Sequence, residues 1–396
     1  MSNIFEEDKK YVLNVYRRDK LKITEGRGSY LYDEDGNKYL DMYSGIAVNN
    51  LGLSNPEVLS RIASQASKFI HLSNYFVSEP TVKLAKLLVE SSFASKVFFT
   101  NSGAEANEAA IKLARKFGKE LNRNKIEILT AYNSFHGRTC GSLTLTGQKK
   151  YQNDFQPLLS GVGHFIFNDI ISLREKVNEN TCAVFLEMIQ GEGGIKEATQ
   201  EFIDTLVELA NKYNFLIIVD EIQTGLGRVG DLFAYEKYEF TPHIVTLAKS
   251  LGGGIPLGAM LVNEQISEVL QHGDHGSTFG GNSLACAAGE YILATVNKNG
   301  FKKEVKNKSR YIFNKVYELR GKFPKIIKEV RGRGLMIGID VGDYAKEIKT
   351  KGIERKLLLN ITNKTVVRLL PALTISFGEI DEFLSKFKLI LQDINE

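Results

Sequence analysis

Cysteine is scarce: the 396-residue chain has three, Cys140, Cys182 and Cys286, far apart and odd in number. That excludes a disulfide framework and offers none of the paired spacings of a zinc site, so reduced thiols in a reducing compartment are expected. Long hydrophobic runs are missing too. No stretch approaches the ~18 apolar residues of a membrane span, and the opening MSNIFEEDKKYVLNVYRRDK lacks the apolar core of a signal peptide. A soluble cytoplasmic protein with no membrane partner is the expectation. Charge of one sign is not in excess either, at +4 overall. The basic segment 302–333 is broken by apolar residues at helical spacing, which describes a solvated helix face and argues against a nucleic-acid partner. A Walker pattern, a nucleophile elbow and a His/Cys metal cluster are all absent, which weighs against NTPases and hydrolases.

What the chain does have is 43% hydrophobic residues over a length that accommodates two domains. GSYLYDEDGNKYLDM sets two alternating runs on either side of Asp35-Gly36, a β-hairpin pattern. From about residue 57 the chain alternates between helical and strand patterns. Helices are expected near 57–70, over EPTVKLAKLLVESS with Pro80 in its first turn, over EANEAAIKLARKFGKEL and over EFIDTLVELANKYN. Strands are expected at KVFFT, KIEILTA, CAVFLEMI, FLIIVDE and HIVTLAK. Near-continuous β-branched runs separated by helices demand a parallel sheet covered on both faces, an α/β fold. After about residue 296 the pattern changes to a helix followed by RGRGLMIGIDV, KLLLNIT and TVVRLLPAL, a smaller α+β unit. The expected organisation is an N-terminal segment, 1–56, contributing to a small domain, a large domain over 57–295 and a C-terminal small domain over 296–396.

Ligands of open parallel sheets sit beyond the C-terminal strand ends, so those ends carry the functional argument. After KVFFT, Ser102 with Glu105 three residues on forms a capping-box pattern, and Gly103 permits the tight turn before a helix whose free N–H groups attract an anion. A well-capped structural helix would look the same. After KIEILTA, Phe135 offers a stacking face and Arg138 a fork for a carboxylate, although a core Phe and a surface Arg fit equally. His136 suits a hydrogen-bonded neighbour better than a base. After CAVFLEMI, Glu192 lies between glycines, where a surface turn is the plain alternative. After FLIIV comes DEIQTG, with Asp220 and Ile222 projecting to one side of an extended backbone and Glu221 to the other. A buried carboxylate there needs a cationic or hydrogen-bonding partner, which a structural ion pair would also supply. GLGRVG matches a dinucleotide fingerprint in letters only, because DEIQT separates it from its strand. Lys249 closes HIVTLAK and precedes three glycines that would keep bulk away from its amine.

One cofactor uses all of these groups. Pyridoxal 5'-phosphate needs a lysine for its aldehyde, a helix N-terminus for its phosphate, a carboxylate for its protonated ring nitrogen and apolar faces for its ring. The motifs NSGAEANEAAIKLAR, NSFHGRT, FLEMIQGEGG, IIVDEIQTGLGR, TLAKSLGGGIPLGAM, HGSTFGGNSLACAAG and VVRLLPAL, in this order, resemble those of class III (ω-type) aminotransferases of PLP fold type I, from about residue 15 onward. The resemblance implies a mostly parallel seven-stranded sheet in the large domain. It implies that Lys249 links to the cofactor, Asp220 pairs with the ring nitrogen, Gln223 contacts the ring hydroxyl, and Phe135 and Ile222 sandwich the ring. Ser102, Gly103 and Ala104 would hold the phosphate. Thr278 would reach the phosphate of a neighbouring subunit's cofactor, which implies a homodimer with shared sites, and Ser277 would lie near the substrate.

Arg138 resembles the arginine for a distal substrate carboxylate, and Arg368 the one for an α-carboxylate. Glu192 would cover Arg368 when a terminal amine is presented instead. Met188 and Ser283 depart from the family's usual prolines. SGIAVNNLG, HLSNYFVSEPTVKLAKLL and GDLFAYEKY are most similar to the branch acting on N2-acetylornithine with 2-oxoglutarate. That branch yields N-acetylglutamate 5-semialdehyde and glutamate, in arginine biosynthesis. Ornithine, succinyl-diaminopimelate and 4-aminobutyrate are the alternative donors, and the lack of a phenol at Gly45-Ile46 favours an acylated one. A PLP mutase or racemase, a non-catalytic binding protein and a NAD-dependent oxidoreductase are the more distant alternatives.

Overall fold

Alternate residues of the central strands are apolar on both sides, and the sheet they form is covered on both faces. The computed structural model describes residues 3–395. Its seven-stranded sheet contains β1 (Lys96–Thr100), β2 (Glu127–Ala131), β3 (Val162–Phe165), β4 (Thr181–Leu186), β5 (Leu216–Asp220), β6 (Ile244–Leu247) and β7 (Gly258–Val262). The order is β1-β7-β6-β5-β4-β2-β3. β7 is antiparallel to β6 and β1, and every other pair is parallel. The chain therefore leaves β1, β2, β4, β5 and β6 at one edge of the sheet, where the following loops converge.

In β5, Ile218 joins a buried cluster with Ala109, Ala110, Leu113 and Phe117 of helix Gly103–Leu121. Its neighbours Ile217 and Val219 join the other cluster, with Phe202, Leu206 and Leu209 of helix Gln200–Tyr213. The stripe Ala106, Ala109, Ala110, Leu113 and Phe117 is buried throughout, and its small residues let the helix lie close to the sheet. Each large side chain buried this way contributes roughly 1.5–3 kcal/mol.

The hairpin expected around Asp35-Gly36 is present as Tyr30–Asp33 and Lys38–Asp41, antiparallel. Lys38–Asp41 also pairs in parallel with Leu357–Leu358, so the start of the chain is hydrogen-bonded to its last quarter. Glu329–Arg333, Met336–Asp340, Val366–Leu369 and Asn360–Thr362 form a separate antiparallel sheet. Helix Glu79–Glu90 starts with Pro80 in its first turn, and Pro56–Ala66 replaces the expected 57–70. Two strands of the seven-stranded sheet lay outside the expectation. β3 (VGHF) is a short edge strand containing Gly163, and β7 (GAMLV) opens on Gly258 beside the glycine-rich loop, so neither carries the β-branched run that marked the others. No helix among the described residues is long and apolar enough to cross a membrane.

Gly118 gives a test of the packing between helix Gly103–Leu121 and the sheet. In an open helix, Gly→Ala gains about 1 kcal/mol. Here a Cβ would lie inside contact distance of the Lys125 carbonyl oxygen and 2.6 Å from Cys182 Cβ. Overpacking of this kind costs about 1–3 kcal/mol. Gly118→Ala is therefore expected to lower the denaturant midpoint, and a raised midpoint would contradict this packing.

Candidate active site

The loops leaving β1, β2, β4, β5 and β6 enclose a cavity of about 460 Å³. All the cofactor and substrate residues expected from the sequence line it except Arg368, Ser277 and Thr278. Sequence-distant groups meet there because the parallel strands all end at the same edge.

Lys249 follows β6 and adopts φ 48°, a left-handed conformation uncommon for a residue with a side chain. Its Nζ donates no hydrogen bond to any described residue. Burial, with a smaller push from the Arg368 charge, brings its pKa down to about 8, against the opposing pull of Glu192, Asp220 and Glu187. Two of the glycines after it serve packing, since a Cβ on Gly253 would strike Ile292 and one on Gly252 would press on Leu257, whereas Gly254 lines the cavity beside Lys249, where a side chain would take up space near the amine. Gly253 and Gly254 also hold φ of 61° and 108°, which only glycine adopts freely.

Asp220 ends β5 and is 4% exposed. Its Oδ2 accepts hydrogen bonds from Asn107 Nδ2 at 2.9 Å and His136 Nδ1 at 2.8 Å, and its Oδ1 accepts the Ile222 N–H at 3.0 Å. Burial opposes charge on His136, but the Asp220 carboxylate outweighs it and raises the imidazole's pKa. His136 is thus a neighbour of the carboxylate, as expected. Asn107 was not foreseen. It sits one turn into the helix on the buried stripe, ties Thr246 of β6 to Asp220, and donates to the His136 carbonyl. An amide on an otherwise alanine-lined stripe was the available signal. Glu221 turns away as expected, to Thr224 and the Tyr235 N–H.

Ser102 caps helix Gly103–Leu121 by accepting the Glu105 N–H. The capping box is not closed, because Glu105 accepts from the backbone and side chain of Asn101 in place of the Ser102 N–H. Gly103 and Ala104, at the first two helical positions, have no intrahelical acceptor for their N–H groups and face the cavity. A Cβ on Gly103 would lie 2.6 Å from Ile222 Cδ1. The anion cradle, the free amine, the buried carboxylate and the apolar Phe135 and Ile222 match in kind what pyridoxal phosphate requires.

Arg368 lies just behind this wall, 1% exposed. Its register partner across the sheet is Asn360, whose Oδ1 accepts from both Nε and Nη2, at 2.9 and 2.7 Å. Nη1 donates to Glu192 Oε1 at 2.6 Å, and to Gly191 O and Gln223 Oε1 at 3.2 Å each. Burial would raise the Glu192 pKa, but the Arg368 charge and hydrogen bond lower it overall. Arg138 is exposed at the cavity mouth, 3.9 Å over the Tyr151 ring and 5.5 Å over Phe135. Neither Asn360 nor Tyr151 was visible in the sequence, since strand register and loop packing bring them in.

Ser277 lies beside the cavity, where its Oγ accepts from Asn101 Nδ2 at 3.1 Å. Thr278 is exposed and lines no part of the cavity. Of the two departures, Met188 is fully buried and accepts the Ala198 N–H, and the Ser283 hydroxyl meets that of Ser78 at 2.7 Å. GLGRVG opens no helix. Its Arg228 is buried and donates to Asn50, Leu335 and Pro371.

Comparison with known proteins identifies the family. The family model "Aminotransferase class-III" matches residues 14–391. An acetylornithine aminotransferase of Caldanaerobacter subterraneus subsp. tengcongensis is 47% identical over 389 residues, 98% of each chain. The N-acetylornithine aminotransferase of Stenotrophomonas maltophilia K279a superposes with a TM-score of 0.86 at 32% identity, covering 99% of both chains. An ornithine aminotransferase of Toxoplasma gondii, with PLP partly occupying its active site, gives 0.93 at 31% identity, covering 99% of this chain and 94% of that one. Matched by that family model and by relatives over nearly its whole length, this chain belongs to the class III aminotransferases.

Proposed function

We propose that this enzyme transfers the terminal amine of N2-acetylornithine to 2-oxoglutarate, giving N-acetylglutamate 5-semialdehyde and glutamate in arginine biosynthesis. The observation that carries the reading is the buried Arg368–Glu192 pair at the wall of the cavity that holds Lys249. A buried guanidinium left without a counter-ion is costly, so a carboxylate that can be replaced by that of a substrate allows one site to take two partners. With an acylated donor, whose terminal amine enters first, Glu192 stays on Arg368. With 2-oxoglutarate or glutamate, the α-carboxylate takes its place. Arg138 at the mouth would hold the distal carboxylate of either substrate. Val48, at the end of the left-handed turn Ser44–Ala47, presents an apolar wall, which suits a neutral acyl amide better than a second charged ammonium.

The cofactor is pyridoxal 5'-phosphate, which supplies an electrophilic carbonyl carbon and a ring that accepts the electron pair left when a substrate carbon loses its proton. Lys249 Nζ would take that proton from the substrate carbon and return it on the other side of the exchange, work suited to an amine with a pKa near neutrality. Asp220, held by Asn107 and His136, would keep a proton on the ring nitrogen. The Gly103 and Ala104 N–H groups would bind the phosphate, and Phe135 and Ile222 would keep water from the ring.

A homodimer with shared sites forms part of this proposal. Thr278 is exposed next to an apolar surface of Ile70, Tyr75, Phe76, Val77 and Phe279. Asn74 Nδ2 donates to Ser277 O at 2.8 Å, which joins the two segments into one face of the kind that marks an interface.

Three measurements test these assignments. Only the neutral amine attacks a carbonyl, so the rate at which the apoprotein captures pyridoxal phosphate should rise with pH, about tenfold per unit, until it levels off near 8. A rate still climbing at pH 10 would exclude Lys249 as a depressed amine. In a donor panel with 2-oxoglutarate, N2-acetylornithine should give the largest kcat/KM among ornithine, 4-aminobutyrate and succinyl-diaminopimelate. Lys249→Ala should lower turnover by about 10²–10⁴ or more. Preference for ornithine overturns the substrate assignment, and full turnover in Lys249→Ala overturns the mechanism.

A further inference from the structure

We propose that Glu187 is a positioning residue that ties the loop carrying Phe135 to the loop carrying Glu192, so that the ring-stacking face and the cover on Arg368 are held in one fixed relation. The inference rests on the transaminase reading above and extends it to a residue with no part in the proton transfer.

Glu187 directly follows β4, lines the cavity and is 7% exposed. Its two oxygens are divided between two loops: Oε2 accepts the Phe135 N–H at 3.1 Å, and Oε1 accepts the Gly191 N–H at 3.2 Å. Unlike Asp220 and Glu192, it has no side chain as hydrogen-bond partner, so both of its bonds go to backbone. The chain of contacts continues through Gly191, whose carbonyl accepts from Arg368 Nη1 at 3.2 Å and from Thr362 Oγ1 at 3.3 Å. Gly191 is thus held from both sides, and it has no room for a Cβ beside the Gln223 side chain. One hydrogen-bonded path runs from the Phe135 amide through the Glu187 carboxyl and Gly191 to the Arg368 guanidinium. Because Glu192 directly follows Gly191, whatever holds Gly191 sets where the Glu192 carboxylate meets Arg368.

A carboxylate is the side chain this path requires. Burial raises its pKa to about 7, and above that pH it offers two acceptors and no donor, whereas a glutamine in the same place would turn an NH₂ toward one of the two N–H groups and leave that buried donor without a partner. A merely space-filling role would be met by an apolar residue and would leave the two loops uncoupled.

The test compares the wild-type holoenzyme with Glu187→Gln, Glu192→Gln and the double variant. The measurements are KM for 2-oxoglutarate, kcat, the dissociation constant of pyridoxal phosphate from absorbance titration of the apoprotein, and Tm. Glu187→Gln is expected to raise both KM and the cofactor dissociation constant at least about fivefold, with kcat lowered less than about threefold and Tm lowered by a few degrees at most. Glu192→Gln alone uncovers Arg368 and should lower KM. In the Glu187→Gln background that drop should shrink by about threefold or more, the signature of coupled residues. Additive effects, or a fall in Tm and kcat without a shift in KM, would overturn the inference. Should Glu187→Gln not fold, Glu187→Asp, too short to span both N–H groups, is expected to give the same pattern. If the wild type itself transaminates no donor, the functional reading fails and not the role of Glu187 within it.

Discussion

A charge taken out of water must find a partner, and the site is organised around that constraint. Three carboxyl groups, Asp220, Glu187 and Glu192, and three basic groups, Lys249, His136 and Arg368, are gathered at one edge of the sheet. Most are stabilised by fixed neighbours: Asp220 by His136 and Asn107, Glu187 by two backbone amides, and Arg368 by Asn360 and Glu192. Lys249 alone among them makes no hydrogen bond to any described residue, and burial, helped by the Arg368 charge, brings its pKa down to about 8. The group left without a partner is the one the proposed mechanism needs free.

The sheet is what makes the gathering possible. Parallel strands buried on both faces need helical crossovers, and crossovers deliver the loop after each strand to the same edge. Helix Gly103–Leu121 contributes at both ends of this logic. Its alanine stripe lets it pack closely over the strands, and the same closeness brings Asn107 within reach of Asp220 and Thr246. Helix packing and the setting of Asp220 are coupled through that one amide.

Much of this could be read from residue patterns. The β-branched runs named five of the seven strands, and the residues just past their ends named most of the cavity wall. β3 and β7 escaped because a short glycine-containing edge strand and an antiparallel strand beside a loop lack that signature. The capping box was half right: Ser102 caps the helix, but Glu105 prefers Asn101, a choice between nearby N–H donors that spacing cannot make. The role first given to the glycines after Lys249 fits Gly254, which lines the cavity, but not Gly253, whose neighbour Ile292 is brought in by helix docking.

The sequence by itself determined the chemical inventory: a lysine, an aspartate and a helix start, each at a strand end, together with two arginines and a glutamate of the right kinds. Those follow from local pattern, because period-2 and period-3.6 burial are written into consecutive residues. Only the tertiary structure decided which groups are joined. Strand register sets Asn360 against Arg368, helix docking sets Asn107 and His136 against Asp220, and the convergence of two loops gives Glu187 its two amides. The physical reason is that hydrogen bonds act within about 3 Å, whereas these partners stand from four to more than a hundred residues apart, a distance that only folding removes.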